Sequence, residues 1–309
     1  MFYGYYKHLI IFSLYLFSYD YQTGEWMNNR FTYLVVMEPD APHQTALLKA
    51  VELACKTNAI IEFFACGYLT DKEINQFQSR QDAKRSNINA LTDWCSEQVK
   101  TLVSHKGIST HIQPPHIEWN DQCLKAVCYR AREIDANMII TTNNHDHSDM
   151  QGLLRYSPCP VLLAHSSNSS ITGNVLAALD THKKSDANNA LNNAILAAAL
   201  NLAEDTDSNV HLVSAIDEKE AIAAHLGFEY LEDIESEQTL IASRFELPKN
   251  QVHIQLGNPQ SIIQSCVEAV DADTLVIGTN TRKGIAGLFL GNTAEKLLSQ
   301  LLCDVLIVN

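Results

Sequence analysis

Short apolar, β-branched runs alternate along most of this chain with longer stretches of helical periodicity. Residues 31–37 (FTYLVVM) predict a first strand, stopped by Glu38-Pro39-Asp40-Ala41-Pro42. Residues 45–57 predict a helix with Leu47, Leu48, Val51 and Ala54 along one face. A strand over 60–66 follows, then a polar, helix-favouring stretch over 71–105 with Ile88, Leu91, Trp94 and Val99 as its apolar positions. A weaker third strand over 110–117 is interrupted by Pro114-Pro115, which cannot donate to a ladder. A helix over 123–133, a strand over 136–141, a polar turn over 143–149 and a strand over 161–164 complete the series.

The series then restarts. Residues 166–173 (SSNSSITG) are small and polar and read as a linker. Strands are expected at 175–179, 210–216, 252–256, 274–277 and 305–308, with helices over 187–203, 218–245 and 259–270. Leu34 corresponds to Leu176 and Cys159 to Cys303, a near-constant offset of about 142–144 residues that marks an internal duplication. Strands alternating with helices imply parallel sheets covered on both faces. The expected fold is therefore α/β, with two tandem doubly wound parallel five-stranded sheets and helices on both faces. Domains are expected at 29–165 and 174–309, joined by the 166–173 linker. Residues 1–28 are expected to be a non-native or disordered extension, because Met27 opens a stretch that reads as a natural start. The apolar segment over 9–17 is too short to span a bilayer.

Composition narrows the function. A net charge of −14 over 309 residues argues against direct nucleic-acid binding, which needs clustered Lys and Arg. Eight cysteines without CxxC or Cys/His ligand spacing read as buried thiols in a reducing cytosol, and no metal site is identifiable. His145-Asp146-His147 offers no third ligand. There is no nucleophile elbow, no paired carboxylates of clear geometry and no Walker lysine, so no catalytic residue is assigned.

Ligands of doubly wound sheets sit beyond the carboxyl ends of the strands, where strand order switches. That places weight on Asp180-Thr181-His182 and on the stretch from Thr274 to Glu295. The latter runs from an apolar strand through Gly278 and a turn holding Thr281, Arg282 and Lys283 to Gly291-Asn292-Thr293 and a helix-like segment. A strand that ends in glycine and leads to a helix N-terminus is suited to an anion. The same geometry also serves a turn kept only for the fold.

The second half resembles the universal stress protein family, in its tandem-domain form. Asp180 closes the first strand as in nucleotide-binding members, and Gly257-Asn258-Pro259 matches the family's G-x-P turn. The motif G-x2-G-x9-G-[ST] falls on Gly278, Thr281, Gly291 and Asn292, and Cys303 to Val308 resembles its C-P-V-L-V-V. Thr281 stands where the motif has its second glycine, and Asn292 where it has Ser or Thr; Thr293 is adjacent. The resemblance implies a cytoplasmic stress-response binding or regulatory protein that is not an enzyme. It implies ATP as the nucleotide, with contacts from Asp180, Thr181, Gly257, Pro259, Gly278, Thr281, Arg282, Gly291, Asn292 and Thr293. It also implies pairing of the two domains as an internal pseudo-dimer, homodimerisation, and no membrane. In the first half Glu38 replaces the family's Asp, Trp119-Asn120 replaces the G-x-P turn, and no glycine precedes Gly152, so no nucleotide is expected there. Two other readings stand beside this one. One is a nucleotide hydrolase of the adenine-nucleotide α-hydrolase-like group. The other is a carrier of an apolar ligand between the halves, with Phe63, Phe64, Phe228 and Tyr230 as its lining.

Overall fold

Strand residues buried on both faces must be apolar throughout, and the first long strand obeys this. The computed structural model describes residues 17–20, 25–28, 30–39, 41, 43–106, 111–142, 147–165, 173–182, 185–216, 230–279 and 301–308. A hairpin, β1 (Phe17–Asp20) with β2 (Glu25–Asn28), stands as its own two-stranded sheet, with Tyr19 in register opposite Trp26. This hairpin lies within the 1–28 extension.

The first half then follows as β3 (Thr32–Val36), α1 (Thr45–Thr57), β4 (Ile60–Gly67), α2 (Asp71–Ile74), α3 (Arg80–Lys106), β5 (His111–Ile112), β6 (His116–Trp119), α4 (Cys123–Glu133), β7 (Met138–Thr142), α5 (His147–Tyr156) and β8 (Val161–Ala164). The polar stretch expected as one long helix is broken. Thr70 and Glu73 form a capping box on α2, and Ser79 accepts the Asp82 N–H at 3.1 Å to open α3. Pro114-Pro115 splits the third strand into β5 and β6, both paired to β4.

The second half repeats the plan: β9 (Asn174–Leu179), α6 (Asp186–Thr206), β10 (Asn209–Ile216), α7 (Tyr230–Arg244), β11 (Val252–Leu256), α8 (Pro259–Ala269), β12 (Ala272–Gly278) and β13 (Asp304–Val308). The helix expected over 218–245 is described only from Tyr230. Corresponding helix-to-strand turns in the two halves place Asn58 and Asp207, and Asp135 and Asp271, at positive φ between 50° and 55°. Short polar side chains adopt this left-handed geometry more readily than others.

Within each half the strands run parallel. Across the halves, β8 and β13 pair antiparallel, Leu306 opposite Leu162, fusing everything from β3 onward into one eleven-stranded sheet. Strand order is β11-β10-β9-β12-β13-β8-β7-β3-β4-β5, with β6 beside β4. Neither half keeps a core to itself. One core takes Val35, Phe63, Ala177, Leu212, Leu162 and Leu306; the core on the opposite face takes Leu34, Phe64, Leu176, Val213, Leu163 and Ile307.

A buried ion pair also crosses the join. Lys49 Nζ of α1 lies 2.9 Å from Asp304 Oδ2 at the start of β13, with side chains 3% and 1% exposed. Asp304 Oδ1 accepts the His165 N–H at 2.7 Å. Lys56 Nζ donates to the Thr206 carbonyl at the end of α6, a second tie between the halves. Burial pushes the Asp304 carboxyl up to about 6, against the opposing pull of Lys49, from an ordinary 3.8. Because the folded value lies above the unfolded one, the stability from this group is fully present below 3.8. It is lost as pH rises through about 6. Asp304→Asn is therefore expected to remove about 1 kcal/mol of the stability gained between pH 7 and pH 5. Urea unfolding of both proteins at the two pH values checks this, and equal slopes would contradict it.

Candidate functional site

The order 3-2-1-4-5 within each half puts its switch point between the first and fourth strands. In the second half this is the crevice beyond Leu179 of β9 and Gly278 of β12. The first residue past β9, Asp180, is half-buried, and α6 holds its backbone from above. Asn192 accepts the Asp180 N–H at 3.2 Å and donates back to its carbonyl at 2.7 Å, and Asn188 donates to the same carbonyl at 2.7 Å. Asn188 and Asn192 are one turn apart on one face of α6, and both are buried. Ser185 caps that helix by accepting the Asn188 N–H. Thr181 then pairs its hydroxyl with Ser214 of β10 at 2.7 Å.

Two neighbouring strand ends complete the rim. Gly257, past β11, has φ +141° and donates its N–H to Ile216 O at 2.9 Å; a side chain at that φ would be strained. Asn258 caps α8, accepting from Gln260 N and Ser261 N, and Pro259 takes the first helical position, where no N–H is needed. Gly278 is the last residue of β12, in register with Val308. A Cβ there would sit 2.7 Å from Leu191 Cδ1 and 2.8 Å from Ile195 Cδ1, so this glycine lets α6 lie close on the strand. Thr279 follows, buried, with its N–H on Val308 O at 2.7 Å. His182 Nε2 is buried without a hydrogen-bond partner and lies 3.6 Å from Glu237 Oε1 of α7, which walls the site on that side.

Asp180, Thr181, Gly257, Pro259 and Gly278 are thus brought to one end of the sheet. Thr281, Arg282, Lys283, Gly291, Asn292 and Thr293 lie outside the described residues, as do Lys183, Lys184, His145 and Asp146. Sequence reading missed Asn188, Asn192 and Ser214. Asn at i and i+4 within an Ala/Leu helix, directly after a strand end, was the available signal.

The first half shows the same switch point differently filled. Gln44 accepts the Glu38 N–H at 3.1 Å and donates to the Glu38 carbonyl at 2.7 Å, the counterpart of Asn192 acting on Asp180. The Glu38 carboxylate accepts the Thr142 hydroxyl at 2.5 Å, bridging the ends of β3 and β7. A side-chain anion therefore spans the crevice. Asn120 donates its N–H to Gly67 O and accepts the Gln122 N–H, the place Asn258 holds in the other half. Among the described residues no group of three or more His, Cys, Asp or Glu gathers as for a metal ion, and no helix is long and apolar enough to cross a membrane.

A doubly wound unit repeated with its switch-point contacts, in tandem on one chain, defines a class of protein. Residues 172–309 match the model of the Universal stress protein family, and the chain as a whole resembles its tandem-domain members. It is similar over most of its length to Universal stress protein E of Escherichia coli (strain K12), with 27% identity over 89% of this chain and 92% of that one. It is 23% identical to the Universal stress protein E homolog of Haemophilus influenzae (strain ATCC 51907 / DSM 11121 / KW20 / Rd), over 88% of this chain and 95% of that protein. The same fold is seen in a putative universal stress protein from Pseudomonas aeruginosa UCBPP-PA14 (24% identity, TM-score 0.65, 90% and 92% of the two chains). It is seen again in a universal stress protein from Archaeoglobus fulgidus DSM 4304 (15% identity, TM-score 0.61, 90% and 96%).

Proposed function

We propose that this stress-response protein is a binding or regulatory module whose second half takes an adenine nucleotide, ATP first, beyond the ends of β9 and β12. The observation that carries the reading is the reciprocal grip of Asn192 on Asp180. It fixes the backbone of a half-buried carboxylate residue at the switch point, so little ordering cost remains for a ligand. The positive-φ turn at Gly257 brings the β11 end to the same rim. The first half carries the Glu38 carboxylate across its crevice and serves the fold instead.

The role is taken to be non-enzymatic and cytoplasmic, with self-association as the interaction of choice and no part for nucleic acid, given the net charge of −14. Phe63 and Phe64 are fully buried in opposite cores, which leaves them no surface for an apolar ligand; Phe228 lies outside the described residues. Calorimetric titration with ATP and Mg²⁺ tests the proposal. The wild-type chain is expected to saturate, and Asp180→Ala to bind at least about tenfold more weakly, the loss of a charged hydrogen-bonding group. Absence of saturable heat at millimolar nucleotide would end it. Phosphate release that Asp180→Ala abolishes would instead favour the hydrolase reading.

A further inference from the structure

Two thiols of the first half meet away from the nucleotide site. Cys66 is near the end of β4, and Cys123 is the first residue of α4. Both are partly exposed and pack at the rim of the same core. The neighbouring Cys123 thiol, together with burial, pushes the Cys66 thiol up.

The framework explains why they meet. Arg130 of α4 grips Glu62 of β4 through both carboxylate oxygens, at 2.6 and 3.0 Å. From that anchor Cys66 lies four residues on along the strand, about 13 Å. Cys123 lies seven residues back along the helix, about 10 Å in the same direction. A second tie closes the far end: Asn120 N donates to Gly67 O at 3.1 Å, and Asn120 Oδ1 accepts from Gln122 N at 2.9 Å. The strand end that carries Cys66 and the helix start that carries Cys123 are therefore tied together on both sides.

The remaining cysteines are arranged otherwise. Cys95, Cys128, Cys159, Cys266 and Cys303 are buried, with thiols raised to about 11 or 12 chiefly by burial. Cys55 is exposed but sits on α1. Cys123 alone opens a helix, and Gln122 before it makes no side-chain cap.

We propose that Cys66 and Cys123 form a reversible, peroxide-responsive dithiol site, with Cys123 as the attacking thiol and Cys66 as the resolving one. The Cys123 sulfur attacks one oxygen of hydrogen peroxide. The O–O bond breaks, and the departing hydroxide takes the thiol proton to leave as water, giving a sulfenic acid. The Cys66 sulfur then attacks the Cys123 sulfur. The S–O bond breaks, and the second hydroxide leaves as water with the Cys66 proton. Two thiols lose two electrons and one peroxide becomes two waters.

The test uses the full chain, treated with near-stoichiometric hydrogen peroxide, blocked with N-ethylmaleimide in denaturant and mapped without reduction. The expected result is one linked pair, the peptide of Cys66 with that of Cys123, lighter by two hydrogens and separated by dithiothreitol. The other six cysteines are expected to be recovered as blocked thiols. In Cys66→Ser, dimedone should label Cys123, since the sulfenic acid has no resolving partner. Recovery of both Cys66 and Cys123 as blocked thiols when Cys55 is already oxidised would overturn the proposal. So would linkage of either residue to a different cysteine. The wild-type map decides even if the variant does not fold.

Discussion

Lys49→Met is expected to destabilise the chain by about 3–5 kcal/mol, seen as a lowered urea midpoint at pH 8. The substitution keeps most of the side-chain volume and removes only the charge. What it leaves is the carboxylate of Asp304, 1% exposed, still accepting the backbone N–H of His165. The carboxylate then escapes its burial cost by taking up a proton. The loss should accordingly shrink at pH 5, where protonation is cheap, and be largest at alkaline pH. Adding Asp304→Asn should recover most of the loss. Asn keeps an oxygen for His165 and carries no charge to strand. A single variant as stable as the wild type would show that the pair contributes nothing at the join. A double variant no better than the single would assign the loss to packing.

Leu306→Ala should cost about 2–5 kcal/mol. Leu306 is 2% exposed, stands opposite Leu162 across the antiparallel seam, and belongs to a core that includes residues of both halves. The telling feature is where the effect appears. All three tryptophans, Trp26, Trp94 and Trp119, precede residue 120, while the substitution lies in the last strand. Shared cores predict that tryptophan fluorescence and far-ultraviolet circular dichroism lose structure in one coincident transition, shifted equally. Two separated transitions, with the fluorescence one unmoved, would mean that the halves fold independently.

Much of this architecture was legible because its signals are local. The β-branched runs over 31–37 and 274–277 announce strands buried on both faces, and β3 and β12 fall there. Pro114-Pro115 marks the split between β5 and β6, and Asn258-Pro259 the start of α8, because capping and lost N–H groups act within a few residues. Of the site, Asp180, Gly257 and Pro259 could be found as strand-end and turn residues. Asn188 and Asn192 could not be ranked. An asparagine in an Ala/Leu helix reads as its solvent face until the helix is laid over a strand end. Lys49 was missed for the same reason: a lysine among apolar residues of α1 reads as exposed, and its partner is some 250 residues away.

The sequence by itself determined the order and kind of most of the elements, the duplication, and the strand ends that carry Asp180 and Gly278. These follow from periodicity and turn chemistry, which act over a handful of residues. Tertiary structure alone decided that the cores of the two halves merge and that Lys49 meets Asp304. It alone decided which switch point is bridged by a carboxylate and which is held by two asparagines. Those outcomes depend on which faces meet when water is excluded, and apolar burial, having no direction of its own, leaves that choice to the packing of the whole chain.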